Sequence, residues 1–84
     1  MNPKRLYERI LQGSTANVRF TDLTRLVQSL GYEPRRIRGD HHLFKHPGIE
    51  KKLNLQPGRN GQAKPYQVGQ VAEAIRKYDL ELED

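Results

Sequence analysis

The stretch YEPRRIRGDHHLFKHPG, residues 32–48, decides how this chain folds. It follows Gly31 and abandons the helical spacing of the residues before it. Tyr32 to Arg38 reads as a strand, and Pro34, which has no amide hydrogen to donate, assigns it to a sheet edge. Gly39-Asp40 is turn chemistry. His42 to His46 reads as a second strand, closed by Pro47-Gly48. Lys51 to Gln56 reads as a third, with Leu53 and Leu55 alternating against Asn54 and Gln56. Connections this short join antiparallel neighbours, so the three strands are predicted to form a meander.

Helical patterns flank the meander on both sides. Asn2-Pro3 offers an Asn cap and a proline at the first helical position. Leu6 and Ile10, with Tyr7, recur at helical spacing until Gly13. Ser14 to Asn17 reads as a linker. A second helix is predicted from Thr21, as cap, to Leu30, with Phe20, Leu23, Leu26, Val27 and Leu30 as its apolar stripe. Pro57 to Gln62 reads as a Gly-rich loop without regular pattern. Pro65 opens a last helix to Tyr78, its inner stripe formed by Val68, Val71, Ala72 and Ile75. Leu80 and Leu82 are expected to pack just beyond it. Glu81, Glu83 and Asp84 read as a mobile acidic tail.

The predicted class is therefore α+β: a three-stranded antiparallel sheet with helices on one face and the other face open to solvent. The 84 residues suffice for one domain, residues 1–84, divided into an N-terminal helix over 2–13, a core over 20–80 and an acidic tail over 81–84. The chain has no cysteine, which excludes disulfides and thiolate metal sites and suits a reducing cytoplasm. No apolar stretch reaches signal-peptide or membrane-spanning length, so no membrane partner is expected.

Charge points to a partner. The net charge is +5, but residues 1–64 carry thirteen Lys and Arg against five Asp and Glu. Residues 65–84 carry two against five. A basic surface of this kind favours a polyanion such as nucleic acid. The alternative is a solvated surface that aids solubility.

All three histidines fall at positions 41, 42 and 46. A zinc site would use His41, His42 and His46, with Asp40, but the spacing fits no standard structural zinc pattern. They also read as ordinary polar strand residues. A third reading is general acid–base chemistry, for which histidine is the side chain best matched to neutral pH. Strand parity bears on the choice. With Phe44 inward, His42 and His46 share its face, and His41, Leu43 and Lys45 take the open one. With Leu43 inward the assignment reverses. Phe44 is the larger apolar group and favours the first phase.

Arg35, Arg36 and Arg38 on the preceding strand alternate, so at least one should reach the open face. Arginine binds phosphate through two parallel hydrogen bonds. RNA carries its own nucleophile in the 2′-hydroxyl. Its cleavage needs a base, an acid and positive charge, which a histidine and several cations supply without a metal or cofactor. A solvated, aggregation-resistant edge strand explains the same arginines without function. The loop Gln56 to Lys64 adds Arg59 and Lys64 and reads as a flexible basic clamp for a phosphate backbone, or as a plain connection. Tyr66 and Gln67 stand where they could meet RNA from the start of the last helix.

The run from Arg36 to Gly48 resembles the HicA, or YcfA-like, family of bacterial toxins. That family's core runs helix, Arg-x-x-Gly-Ser-His, a short strand ending in an aromatic, His-Pro-Gly, a third strand and a helix. The similarity covers Phe20 to Tyr78, and the N-terminal helix with Ala63 to Val68 resembles a longer subgroup. The resemblance implies a fold like a double-stranded-RNA-binding domain and an mRNA-cleaving toxin neutralised by a HicB-type antitoxin. It also implies His41 as the catalytic histidine. Arg36, Arg38, Lys45, Arg59 and Lys64 are the residues expected on the RNA from the strand and loop readings above. Two positions depart from the pattern. Asp40 stands where the family has serine, and Gln56-Pro57-Gly58-Arg59 replaces a His-Gly pair. A non-catalytic RNA-binding module of the same fold is the second expectation.

Overall fold

A computed structural model describes residues 1–83. Its elements run α1 (Pro3–Leu11), α2 (Phe20–Ser29), β1 (Glu33–Arg38), β2 (His41–Lys45), β3 (Leu53–Leu55), a 3-10 turn (Arg59–Gly61) and α3 (Pro65–Tyr78). The strands lie in the order β1-β2-β3 and pair antiparallel, as the short turns require. The fold is α+β, with three helices and a three-stranded antiparallel sheet. No helix among the described residues is long and apolar enough to cross a membrane.

Local chemistry places the helices. The side chain of Asn2 accepts a hydrogen bond from the Arg5 amide at 2.8 Å, and Pro3 needs no partner at the first helical position. Gly31 adopts φ +100° and releases the chain from α2 into the sheet. Pro65 opens α3, and Asp79 ends it in the left-handed region. Each helix turns its apolar stripe inward. Leu6 and Ile10 of α1, Leu23, Leu26 and Val27 of α2, and Val68 and Val71 of α3 are fully buried in one cluster with Leu55 and Phe44 of the sheet. Full burial of each such side chain contributes about 1.5–3 kcal/mol. The N-terminal helix is thus part of the core. The Tyr7 hydroxyl donates to the Leu80 carbonyl at 2.8 Å, and Arg76 of α3 donates to the Leu11 carbonyl at 2.9 Å.

Four expectations need correction. Thr21 is not the cap of α2; the helix begins at Phe20, and Arg19 caps it without a side-chain bond. Phe20 is the first buried residue of the stripe, and its inward orientation starts the helix one position earlier. The third strand is only Leu53–Leu55, because the pairing with β2 stops there. The loop after it is not patternless. It folds through a tight turn at Asn60 and Gly61, both at positive φ, and is pinned where the Ala63 amide donates to the Val18 carbonyl at 2.7 Å. The expected mobile tail is anchored through Glu83, whose amide donates to the Ser29 carbonyl at 2.7 Å, while Leu80 is buried. Asp84 lies outside the described residues.

Strand β1 is the irregular edge that Pro34 announces. Its pairing passes from Pro34↔Phe44 to Arg36↔Leu43, leaving Arg35 as an extra, bulged residue. All six residues are exposed. Proline, bulge and arginines together discourage pairing with another strand.

Candidate functional site

Sheet parity separates the histidines. Phe44 is buried, and Leu53 and Leu55, paired with Phe44 and His42, are buried beside it. The helix-covered face of β2 therefore carries His42, Phe44 and, just past the strand, His46. The opposite face carries His41, Leu43 and Lys45. His42 packs edge-on against the Phe20 ring, with centroids 4.8 Å apart. His46 packs edge-on against Tyr32 at 5.2 Å, and its Nδ1 accepts the Gly48 amide at 3.0 Å. Both are held in structural contacts. His41 points the other way, so the three rings do not converge. Among the described residues no group of three or more His, Cys, Asp or Glu side chains is placed to hold a metal.

The hairpin register decides which arginines join His41: Arg36 lies opposite Leu43, and Arg38 opposite His41. Both arginines thereby share the open face with the histidine. Directly opposite residues in an antiparallel pair are about 5 Å apart at Cα. Arg36, Arg38, His41, Leu43 and Asn54 line a shallow depression of about 310 Å³. Arg35, Arg36, Lys45 and Lys52 line its neighbour beside Leu43. Among the described residues neither Arg36 nor Arg38 has a carboxylate within salt-bridge distance; Arg35 lies 3.7 Å from exposed Glu33. The turn that brings Arg38 and His41 together is Gly39-Asp40, where Gly39 takes the positive φ of +61° that such a hairpin needs.

A chain of polar groups orients the His41 ring. Nδ1 lies 3.3 Å from Oδ1 of Asn54 on the neighbouring strand. The Nε2 amide nitrogen of Gln56 lies 2.6 Å from Nε2 of His41 and 3.2 Å from Nδ1. The Gln56 carbonyl oxygen accepts from Nζ of Lys64 at 2.8 Å. That contact fixes the amide, since the ammonium group can only donate. The amide NH2 therefore faces the imidazole, and Nδ1 has Asn54 Oδ1 as a second neighbour. Asp40 makes no hydrogen bond to the ring among these contacts.

A second glutamine supports this chain. Gln67, at the start of α3, is 5% exposed. Its Oε1 accepts from the backbone N–H of Gln56 at 2.8 Å, and its Nε2 donates to the backbone carbonyl of Asn54 at 3.3 Å. The side chain thus completes the outer edge of β3 where no fourth strand exists. From the sequence, Gln67 stands where it could meet RNA. It is instead a buried brace, because an unpaired sheet edge next to a helix needs partners.

The other predicted residues are distributed unevenly. Lys45 lines the open face, but its ammonium group donates to the carbonyls of Ile49 and Glu50 and clasps the turn after β2. Lys64 is occupied with Gln56. Arg59 is exposed on the 3-10 turn, outside the residues lining the depression. Tyr66 is 61% exposed at the start of α3. Asn54 and Gln56, which complete the site, did not emerge from the sequence as partners of His41. The one available signal was their alternation with Leu53 and Leu55, which marks both as outward-facing.

No family model, no curated protein and no solved structure matches this chain. What the fold and site define is an α+β domain whose open sheet face groups one oriented histidine with unpaired arginines.

Proposed function

We propose that this chain is an endoribonuclease toxin of the HicA type, acting on mRNA through His41 and restrained by a HicB-type antitoxin. The observation that carries the reading is the placement of His41. It alone of the three histidines stands on the open face, opposite Arg38. In the proposed reaction Nε2 takes the proton of a ribose 2′-hydroxyl. The alkoxide attacks the adjacent phosphorus. Arg36 and Arg38 neutralise the phosphorane, as guanidinium groups do for phosphoryl oxygens. The P–O5′ bond then breaks, and the imidazolium returns its proton to the departing 5′-oxygen. The products are a 2′,3′-cyclic phosphate and a free 5′-hydroxyl. A single positioned acid–base group supplies about 10²–10⁴-fold, so the enzyme is expected to be slow. The test is cleavage of a long RNA by purified protein. His41→Ala should abolish it with the fold retained; normal cleavage by that variant rejects the assignment.

A second reading has its own support. The Gln56 amide already occupies Nε2 of His41 at 2.6 Å. A domain in which that contact persists binds RNA without cutting it. The same assay then shows RNA retention that weakens with salt and yields no products.

A further inference from the structure

Between β3 and α3 the molecule carries a cleft of about 340 Å³ that the reading above does not use. Tyr66 and Tyr78, at opposite ends of α3, both line it and are 61% and 36% exposed. Tyrosines this exposed leave ring faces free for another π-system. Lys51, Lys52 and Lys77 also line the cleft, against Glu73 as its one acidic residue. Lys77 sits 5.4 Å from the Tyr78 ring centroid, so a cation and an aromatic face stand together. The buried Tyr32 and Leu53 are among the residues beneath.

The cleft is continuous with the histidine face. Asn54 lines both the cleft and the depression holding His41, Arg36 and Arg38. Lys52 lines both the cleft and the depression holding Arg35 and Lys45. Basic residues therefore line adjoining surfaces from β1 across the sheet to α3, with Glu73 the acidic residue among them. Lysines beside exposed aromatics are the combination that holds single-stranded nucleic acid: cations track the phosphates, and rings stack on unpaired bases. A duplex presents no free base faces and would leave the tyrosines without partners.

We propose that this cleft is a subsite for an unpaired nucleotide flanking the scissile link, its base stacked on Tyr66 or Tyr78 and its phosphate held by Lys51, Lys52 and Lys77. The inference rests on the RNA reading of the open face and adds that the substrate is single-stranded. It places specificity on α3, away from His41.

The test is fluorescence anisotropy with a labelled 2′-O-methyl hexanucleotide, which lacks the nucleophile and is not cleaved. Wild-type protein should bind it, and Lys4→Ala on α1, outside the cleft and both depressions, should bind it alike. Tyr66→Ala and Tyr78→Ala should each weaken binding roughly 5- to 100-fold, the usual cost of one lost stacking partner. Tyr66→Phe and Tyr78→Phe should bind like wild type, and circular dichroism checks that every variant folds. Unchanged binding by both alanine variants, or equal affinity for the hexanucleotide as a duplex, overturns the subsite. If those variants bind normally while Arg38→Ala does not, the cleft falls and the open-face reading stands. Wild-type protein that neither binds the hexanucleotide nor cleaves long RNA sinks both.

Discussion

The amide nitrogen of Gln56 lies 2.6 Å from Nε2 of His41, and Lys64 holds the opposite end of that amide at 2.8 Å. The lysine thereby reaches the histidine through one intervening group. The arrangement holds the imidazole between the Gln56 amide and Oδ1 of Asn54. It also covers the atom that a substrate hydroxyl must approach.

Replacing Gln56 separates the two consequences. If the amide mainly blocks Nε2, Gln56→Ala should raise RNA cleavage severalfold. If it mainly orients the ring, cleavage should fall about tenfold. Gln56→Glu sharpens the result, because a carboxylate beside the ring favours imidazolium and removes the free base. Its cleavage optimum should move to higher pH than that of the wild type. A pH–rate profile of the three proteins checks this, and identical profiles would remove Gln56 from the site.

Gln67 carries a stability prediction. Its amide satisfies one donor and one acceptor on the outer edge of β3. A buried group left without its partner costs about 1–3 kcal/mol. Gln67→Ala should therefore destabilise the fold by about 2–4 kcal/mol, while Gln70→Ala on the exposed side of the same helix should be near neutral. Urea denaturation of both variants measures the difference. Equal midpoints would show that water replaces the lost bonds.

The meander, its strand order and the inward stripes of the three helices were legible in the sequence because period and turn chemistry report them directly. Gly39, Pro34 and Pro65 act through their own backbone restrictions and need no tertiary knowledge. Parity with Phe44 inward put His41 outward by the same local logic. The sequence reading did not extend to contacts between elements. Lys45 and Lys64 read as free cations, yet both are committed to oxygen acceptors that other segments bring to them. Gln67 read as a contact residue because a polar side chain near a helix start is ordinarily exposed; only the unpaired edge of β3 explains its burial. The bulge at Arg35 was equally invisible, and it takes Arg35 out of the regular pairing that Arg36 and Arg38 keep.

Tyr32 gives a pH dependence. Burial raises its phenol above the ordinary value near 10, and the neighbouring Tyr78 adds to the shift. The folded protein then keeps this proton over a range where the unfolded chain has lost it. By linkage, the contribution is fully present below about pH 10 and is lost as pH rises through the folded-state value. Thermal melts between pH 9 and 11 should show stability falling with pH. Tyr32→Phe should flatten that decline. An unchanged slope would mean that another group controls the alkaline limb.

Gly31 tests the packing behind the site. Its φ is +100°, and a Cβ there would meet Nε2 of His46 at 2.8 Å, closer than real Cβ contacts come. Gly31→Ala therefore imposes two penalties, backbone strain and displacement of the His46 ring from Tyr32. Gly13 is the control, because its φ of +97° is nearly the same but nothing lies within 4 Å of the added atom. Gly13→Ala should cost about 1 kcal/mol from strain alone, and Gly31→Ala about 2–3 kcal/mol. In a domain of this size each kcal/mol lowers Tm by roughly 4–8 °C. Combining Gly31→Ala with His46→Ala removes the closest contact, leaving Oε2 of Glu83 at 3.0 Å, but not the strain. The double variant should then lose less than the sum of its parts, since contacting residues couple. Strict additivity would show that His46 yields freely and that Gly31 matters only for its backbone angle.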